Sequence, residues 1–373
     1  MKLYSNISFY ISRYCFMTIF LVVGVIIGMI FMFDIIELIH RTNHRTDIKF
    51  LTILEMALFK LPQIVQVILP FAVMIGTIML FWKMNRNNEL IIIRTIGVSV
   101  WEILTPIIIT VITIGIINIT AFNPLATKFY KFYEKLQDQL QLHNIKTGAF
   151  FDKNGIWLRE NHDYEQVVIH INDVCKEDLN KVDGSLNLKE ISVYVLDPNG
   201  NFKYDIEAKS GSLDNGIFHL TNVCFLKPGS AVEKIHTYDL TTKLTFKNIH
   251  NIFSSLDTIS LWEFPGIINF FENSGFSAHR QNIYFQNLLS SPLLLIGMAL
   301  FASVFSLKPD LGSGGLFIRL ITCIIFGLIF YLLSKLVYAL GESTIIPVVM
   351  VAWFPAVIIN LISLSFLFHF EDG

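Results

Sequence analysis

Long, almost uncharged runs alternate with short polar segments along most of this chain. Six runs reach the length of about 20 residues that a helix needs to cross roughly 30 Å of hydrocarbon. They are Tyr14–Phe33, Leu61–Trp82, Ile103–Thr127, Gln281–Leu307, Leu316–Leu340 and Ser343–Phe370. Because backbone polar groups find no water inside a bilayer, each run is predicted to be an α-helix.

The segment between the third and fourth runs has a different pattern. Apolar residues first recur every three or four positions from Leu125 to Leu140, which predicts that the third helix continues past the membrane. From about Gly148 the chain becomes rich in β-branched and aromatic residues, with turn signals such as Asp197-Pro-Asn-Gly200. The predicted strands are Gly155–Glu160, Gln166–Val174, Leu188–Asp197, Asn201–Ala208, Gly216–Lys227 and Glu233–Phe246. Strands at this spacing indicate a β-sandwich or jelly roll, and Ser260–Gly275 is predicted to be helical.

The predicted fold class is an α-helical membrane protein with six transmembrane helices and a β-jelly-roll or sandwich domain inserted between helices 3 and 4. The expected domains are 1–127, 128–280 and 281–373. Lys and Arg residues in short loops favour cytoplasmic termini and an extracytoplasmic β domain, since they are enriched on the cytoplasmic side. The predicted cytoplasmic side carries Lys2, Arg13, Lys83, Arg86, Arg94, Lys308 and Arg319.

Composition narrows the class of protein. Of 373 residues, 53% are hydrophobic and 16% are charged, which excludes an ordinary soluble domain. The net charge of −2 gives no support to nucleic-acid binding. Cys175 and Cys224 share the polar middle, where they could form a disulfide in an oxidising compartment or remain buried thiols.

The polar stretch near 85–99 has the sequence features of a short helix. Asn88 is expected to cap it, Glu89 falls in its first turn, and Gly97 is expected to end it. Its middle, Leu90–Ile93, is too apolar for a free-standing surface helix. It therefore either packs against the ends of the membrane helices or inserts into a groove on a partner protein.

Cations gather near the predicted outer boundary of the membrane. Such side chains can extend from helix ends to water, pair with acids such as Asp34 and Glu37, or bind an anionic lipid head group. Because few cations are expected outside, we favour head-group binding for the set as a whole. The set is Arg41, Arg45, Lys49, Lys60, Lys128, Lys131, Arg280 and Lys335.

The motifs of catalysis and metal binding are missing from the sequence. The run Gly312-Ser-Gly-Gly315 lacks the lysine of a nucleotide-binding loop, and no zinc-protease or nucleophile-elbow motif occurs. The chain is therefore expected to be a non-catalytic subunit with no cofactor, metal site or catalytic residue of its own. Any energy would come from another chain.

Several segments resemble those of one membrane-protein family. They are Arg13-Tyr14, Met32-Phe-Asp-Ile-Ile-Glu-Leu38, Asn88-Glu-Leu-Ile-Ile-Ile-Arg-Thr-Ile-Gly-Val-Ser99, Phe122-Asn-Pro-Leu125, Leu261-Trp-Glu-Phe-Pro265 and Phe370-Glu-Asp-Gly373. Over nearly its whole length the chain is similar to the lipopolysaccharide-export permeases of the LptF/LptG family, with the first helix and C-terminus closer to LptG. Members of this family carry lysines shortly after the first-span aspartate, whereas this chain has Glu37 and Leu38, with Arg41 and Arg45 about a turn later.

The resemblance implies a half-transporter of the bacterial inner membrane with a periplasmic jelly roll. Its expected partners are a homologous LptF-like permease, an LptB-like cytoplasmic ATPase dimer, LptC-like and LptA-like bridge proteins, and lipopolysaccharide. Glu89, Leu90 and Arg94 would lie on the coupling helix that docks on the ATPase. The first span would form part of a lateral gate, and the jelly roll would carry the lipid onward.

Three other functions are weighed against this one. A different ABC-type permease would share the coupling helix but have a polar cavity. A non-transporting anchor with a β binding domain would recruit no nucleotide-binding chain. An intramembrane enzyme would need a nucleophile and base within the spans, and no such pair occurs there.

Overall fold

The computed structural model describes residues 2–42, 49–140, 156–162, 165–174, 186–197, 202–214, 217–228, 232–242, 255–273, 277–307, 315–343 and 346–371. The chain forms two compact units. One contains residues 1–137 and 282–373, and the other contains residues 138–281.

The first unit is built from long apolar helices. In chain order, the α-helices of the described residues are α1 (Lys2–Thr42), α2 (Phe50–Arg86), α3 (Glu89–Thr95), α4 (Val100–Ile117), α5 (Asn123–Gln139), α6 (Phe264–Asn273), α7 (His279–Ser306), α8 (Gly315–Glu342) and α9 (Val348–Glu371). Of these, α6 belongs to the second unit. A π-helical turn, Asn118–Phe122, joins α4 to α5. Within the described residues six segments are long and apolar enough to cross a membrane, which confirms the predicted six spans.

The helices extend beyond the uncharged runs. The first one begins at Lys2 and ends at Thr42, although its charge-free run is only Tyr14–Phe33. Charged and polar residues at its ends do not stop it, because most of them are compatible with helical backbone and reach water there. The predicted continuation of the third span past the membrane is α5, and the helical segment predicted at Ser260–Gly275 contains α6.

Close contacts and buried hydrogen bonds hold these helices together. A Cβ on Gly76 of α2 would lie 2.8 Å from the Ile19 Cα of α1, so only glycine permits this crossing. Between α7 and α9, the Ser290 hydroxyl donates to the Ala352 carbonyl at 2.8 Å. The Asn360 amide donates to the Leu293 carbonyl at 2.8 Å. Such bonds stabilise helix pairs in an apolar environment, where an unpaired polar group is costly.

The second unit contains an antiparallel sheet, which confirms the inserted β domain. Its strands are β1 (Ile156–His162), β2 (Glu165–Val174), β3 (Leu186–Leu196), β4 (Phe202–Asp214), β5 (Ile217–Leu226) and β6 (Glu233–Thr241). They pair in chain order as one six-stranded meander. A jelly roll or two-sheet sandwich also places non-consecutive strands side by side. Among the described strands, every hydrogen-bonded pair joins two strands that follow one another in the chain.

One prediction about this sheet is wrong, namely that the fourth strand ends at Ala208. Strand β4 continues to Asp214. The polar run Lys209–Ser212 lacks the apolar alternation that marks a strand, but both neighbouring strands pair with Ser210, Gly211 and Ser212. Ladder pairing by β3 and β5 therefore overrides the local propensity of these residues.

Five exposed residues at matching positions form a row across neighbouring strands of the sheet. At this row the alternation of buried and exposed side chains shifts by one position. The ladders of the described strands skip Asn172, Glu190, Lys209, Asn222 and His236, which stand at matching positions. The backbone is left-handed at Glu190 and Asn222, with φ of 51° and 56°. This conformation interrupts the two-residue alternation, as in a β-bulge.

This shift keeps one side of the sheet apolar. Leu188 and Ile191 are both buried on β3, and Leu220 and Val223 are both buried on β5. These four lie in one hydrophobic cluster together with residues of β2 and β4. The sheet therefore has a continuous apolar face.

Candidate functional site: two polar clusters on the first helix

The short helix α3 lies between the second and third spans. It begins at Glu89 after Asn88, whose backbone is left-handed with φ of 59°. The prediction that the Asn88 side chain caps the helix is wrong, because capping requires an extended backbone at that residue. Gly97, with φ of 92°, ends α3 as predicted. Its N–H donates to the Arg94 carbonyl at 3.0 Å, and the Val98 N–H donates to the Ile93 carbonyl at 3.4 Å.

The two faces of α3 have different surroundings. Leu90 and Ile93 are buried, in one hydrophobic cluster with Ile11 and Cys15 of α1. The opposite face shows three large apolar side chains to solvent, with exposed fractions of 49% for Ile91, 56% for Ile92 and 60% for Ile96. Arg94, in the last turn, is also exposed. Helix α3 is therefore packed on one side and carries an uncovered apolar patch on the other.

Glu89 accepts hydrogen bonds from two directions. The Asn87 Nδ2 group donates to Oε1 at 2.9 Å, and the Tyr10 hydroxyl of α1 donates to Oε2 at 3.2 Å. The Tyr10 ring stacks on that of Tyr14, with centroids 6.2 Å apart. The Lys83 ammonium lies over the Tyr14 ring, 4.2 Å from its centroid. We call Tyr10, Tyr14, Lys83, Asn87 and Glu89 the Glu89 cluster.

Sequence reasoning missed the two tyrosines of this cluster. Tyr10 and Glu89 are 79 positions apart, and no local pattern connects residues at that separation. The available signal was the spacing of Tyr10 and Tyr14, which places two rings on one helix face next to a cationic helix end.

The second polar cluster lies near the opposite end of α1. Lys60 of α2 forms a salt bridge with Asp34, whose side chain is only 6% exposed, whereas that of Lys60 is 28% exposed. The Lys60 ammonium also lies 5.8 Å from the centre of the Tyr133 ring on α5. The Asp34 Oδ2 atom is buried, with no hydrogen-bond partner within the described residues. We call Asp34, Lys60 and Tyr133 the Asp34 cluster.

The sequence places the Asp34 cluster at a boundary. Asp34 directly follows the first uncharged run, Lys60 directly precedes the second, and Tyr133 lies beyond the third. All three side chains therefore stand where the apolar stretches of their helices end. A lipid head group would occupy this depth.

The other predicted head-group cations have varied surroundings. Arg41 pairs with Glu37 of its own helix at 2.5 Å, with both side chains about half exposed. The Lys335 ammonium lies 5.4 Å from the Tyr331 ring centre and 6.0 Å from that of Tyr338. Lys49 precedes α2, Lys128 and Lys131 lie on α5, and Arg280 lies in the first turn of α7; all four are exposed. Arg45 and Cys175 lie outside the described residues.

Pairing with neighbouring acids, one of the alternatives for these cations, is confirmed for Arg41 and Lys60. Within the described ranges no three His, Cys, Asp or Glu side chains converge as metal ligands. Cys224 is a free, half-buried thiol.

Comparison with known proteins supports the resemblance seen in the sequence. Residues 9–369 match the family model described as lipopolysaccharide export system permease LptF/LptG. Similar curated proteins include the lipopolysaccharide export system permease protein LptG of Escherichia coli strain K12 and of Escherichia coli O6:H1. Each is 21% identical over 314 residues, covering 82% of this chain and 82% of the relative.

Proposed function

Because this chain belongs to the LptF/LptG family of lipopolysaccharide export permeases, we propose that it is one permease half of an ATP-driven transporter. It extracts lipopolysaccharide from the inner membrane and passes it to periplasmic bridge proteins of the LptC and LptA type. A homologous LptF-like permease completes the membrane part, and a separate LptB-like ATPase dimer hydrolyses the ATP. The N- and C-termini are cytoplasmic and the β domain is periplasmic.

The observation that carries this proposal is the structure of α3. A short helix held on its buried side by Leu90 and Ile93 keeps a fixed position while its other side is available to a partner. The partner would cover the exposed Ile91 and Ile92 and would meet the carboxylate of Glu89 with a cation. An apolar contact bordered by a charge pair is a typical protein interface. Arg94, exposed in the last turn, would extend the polar border.

The need for an external ATPase follows from the cargo. Exposing an acyl chain to water costs about 0.8 kcal/mol for each CH₂ group. A lipid with several chains therefore leaves a bilayer only with an energy source and a sheltered route. The apolar face formed by strands β2 to β5 would give part of that route.

Lys60 is the best supported head-group cation. Its ammonium is bound to Asp34 but remains partly exposed, at the depth where a lipid phosphate lies. A phosphate forms strong charge-assisted hydrogen bonds and would bind a second N–H of the Lys60 ammonium, while Asp34 keeps the first. The other cations predicted to bind the head group would add to the attraction. These are Arg41, Arg45, Lys49, Lys128, Lys131, Arg280 and Lys335.

The proposal is tested by affinity purification in mild detergent. The wild-type chain should retain the homologous permease, the ATPase and lipopolysaccharide. Glu89→Arg should lose the ATPase by at least about tenfold, because a new cation would face the partner's cation. The other permease should remain bound.

Glu272→Arg is the matched control, since it makes the same charge change at an exposed residue of α6. It should purify with every partner. Full ATPase recovery with Glu89→Arg would refute the docking assignment. A wild-type chain that retains no nucleotide-binding protein would instead support the non-transporting anchor.

A further inference from the structure

The N-terminal end of α1 is joined directly to α3. Of the two hydrogen bonds that Glu89 accepts, the one from Asn87 is local, but the one from Tyr10 comes from the first helix. Further along α1, Ile11 and Cys15 share a hydrophobic cluster with the buried face of α3. The proposed docking helix and the first span therefore share both a polar and an apolar contact.

Lys83 strengthens the same junction from α2. Its ammonium lies over the Tyr14 ring, which stacks on Tyr10, so the cation, both rings and the Glu89 carboxylate form one continuous chain of contacts. The cation and the carboxylate stand at opposite ends of the tyrosine pair. A change in the position of the Glu89 carboxylate would therefore alter the contacts of both tyrosine rings.

Outside this junction, few residues of α1 are buried against other helices of this chain. In its most apolar stretch 17% of the residues are buried, compared with 50% in α2. Its close contacts with α2 include the crossing at Gly76 and Ile19 and the salt bridge of Asp34 with Lys60. A helix with so few buried residues loses little side-chain packing when it moves, so a single junction at its end can influence its position.

We propose that Tyr10 is a positioning residue that couples the docking helix to the first span. This inference rests on the proposed function, because it requires an ATPase cation that binds Glu89. When the ATPase binds ATP, that cation would draw the carboxylate away from the Tyr10 hydroxyl, and the N-terminal end of α1 would then be released from α3. ATP binding and movement of α1 would thereby be linked through one exchangeable hydrogen bond.

Tyr10→Phe tests the link, since it removes the hydroxyl and keeps the stacked ring. The reconstituted complex with this variant should bind the ATPase and hydrolyse ATP. The lipopolysaccharide delivered per ATP hydrolysed should fall by about three- to tenfold, the size expected for the net contribution of one typical intramolecular hydrogen bond. A residue with a merely structural role would lower both rates together and leave this ratio unchanged.

Asn87→Ala is the matched control. It removes the other hydrogen bond to Glu89 without changing any contact with α1. Its ratio of delivery to hydrolysis should stay within about twofold of wild type, because the link to α1 persists. An equal loss in this control would overturn the proposal, since the carboxylate alone would then explain both effects.

Movement of α1 is measured directly by electron paramagnetic resonance between spin labels at positions 20 and 109. Both side chains, Phe20 of α1 and Ile109 of α4, are exposed in this chain. With the native cysteines replaced, the distance should change on ATP binding in the Asn87→Ala complex and change less in the Tyr10→Phe complex. Tyr10→His, whose ring N–H can donate again, should recover part of the change.

The two proposals fail in different ways. Unaltered delivery per ATP and an unaltered distance change in Tyr10→Phe would overturn the role of Tyr10, with ATPase docking intact. A wild-type chain that never binds the ATPase would overturn the proposed function itself. Should Tyr10→Phe not assemble, the Tyr10→Leu complex decides, because leucine also lacks a donor: a coupling ratio below that of Asn87→Ala supports the link, and an equal ratio refutes it.

Discussion

The two ends of the first helix carry polar clusters of opposite character. The Glu89 cluster lies at the surface, and its carboxylate is bound by two neutral donors, Tyr10 and Asn87. In the Asp34 cluster the carboxylate is almost fully buried and is bound by a full charge, that of Lys60. An exposed hydrogen bond from a neutral donor is readily exchanged, whereas a buried ion pair is costly to break. The difference suggests that one end of α1 is adapted to a changing protein contact and the other to stable attachment.

The largest effect is expected from Lys60→Met. This change leaves the Asp34 carboxylate buried without its cation, and we expect the free energy of unfolding to fall by about 2–4 kcal/mol. The value is placed below that of a fully buried pair because Lys60 is partly exposed. Thermal unfolding of the purified chain in detergent measures it.

The double variant Asp34→Asn with Lys60→Met is the control for this experiment. It removes both charges, so its stability should lie within about 1 kcal/mol of wild type. If Lys60→Met alone were as stable as wild type, the ion pair would not be a stable attachment, and the contrast between the two ends of α1 would disappear.

The sequence predicted the elements better than the contacts between them. The six spans follow from almost uncharged runs, and the strands follow from alternation, because both patterns are local. Asp34 was recognised as a possible partner for nearby cations. Its pairing with Lys60, and the contact of Lys60 with Tyr133, depend on how three helices pack, which no local pattern gives. The same holds for the contact of Tyr10 with Glu89.

The sheet shows a second reason for the limits of sequence reasoning. Glu190 and Asn222 adopt left-handed backbone, although neither is glycine. Pairing within the sheet imposes this conformation at matching positions of β3 and β5, against the intrinsic preference of a residue such as glutamate. A pattern of apolar and polar residues therefore predicts that strands exist, but it does not show where the alternation of buried and exposed positions shifts.

A smaller effect is expected from Glu89→Gln at the other end of α1. The amide can still accept one hydrogen bond, and water reaches the site, so the free energy of unfolding should change by less than about 1 kcal/mol. The same thermal unfolding measurement, made beside Lys60→Met, compares the two clusters directly. A loss as large as that of Lys60→Met would show that Glu89 is a structural anchor, contrary to an exchangeable contact.

The smallest effect on stability is expected from Arg41→Gln. Arg41 and Glu37 form an exposed pair one turn beyond Asp34, and exposed pairs contribute between 0 and about 1 kcal/mol. We expect a change below about 0.5 kcal/mol in unfolding but a loss of about two- to threefold in photocrosslinking to labelled lipopolysaccharide, because a cation near the phosphates is removed. The lipid effect should weaken as salt is added.

Glu37→Gln separates the two roles of this pair. It breaks the same salt bridge and should alter stability equally little, yet it leaves Arg41 charged and removes a carboxylate that repels phosphate. Crosslinking should therefore be maintained or increased in Glu37→Gln while it falls in Arg41→Gln. Equal losses in both variants would mean that the pair acts only by holding the end of α1, which would give both ends of the helix the same mechanical role.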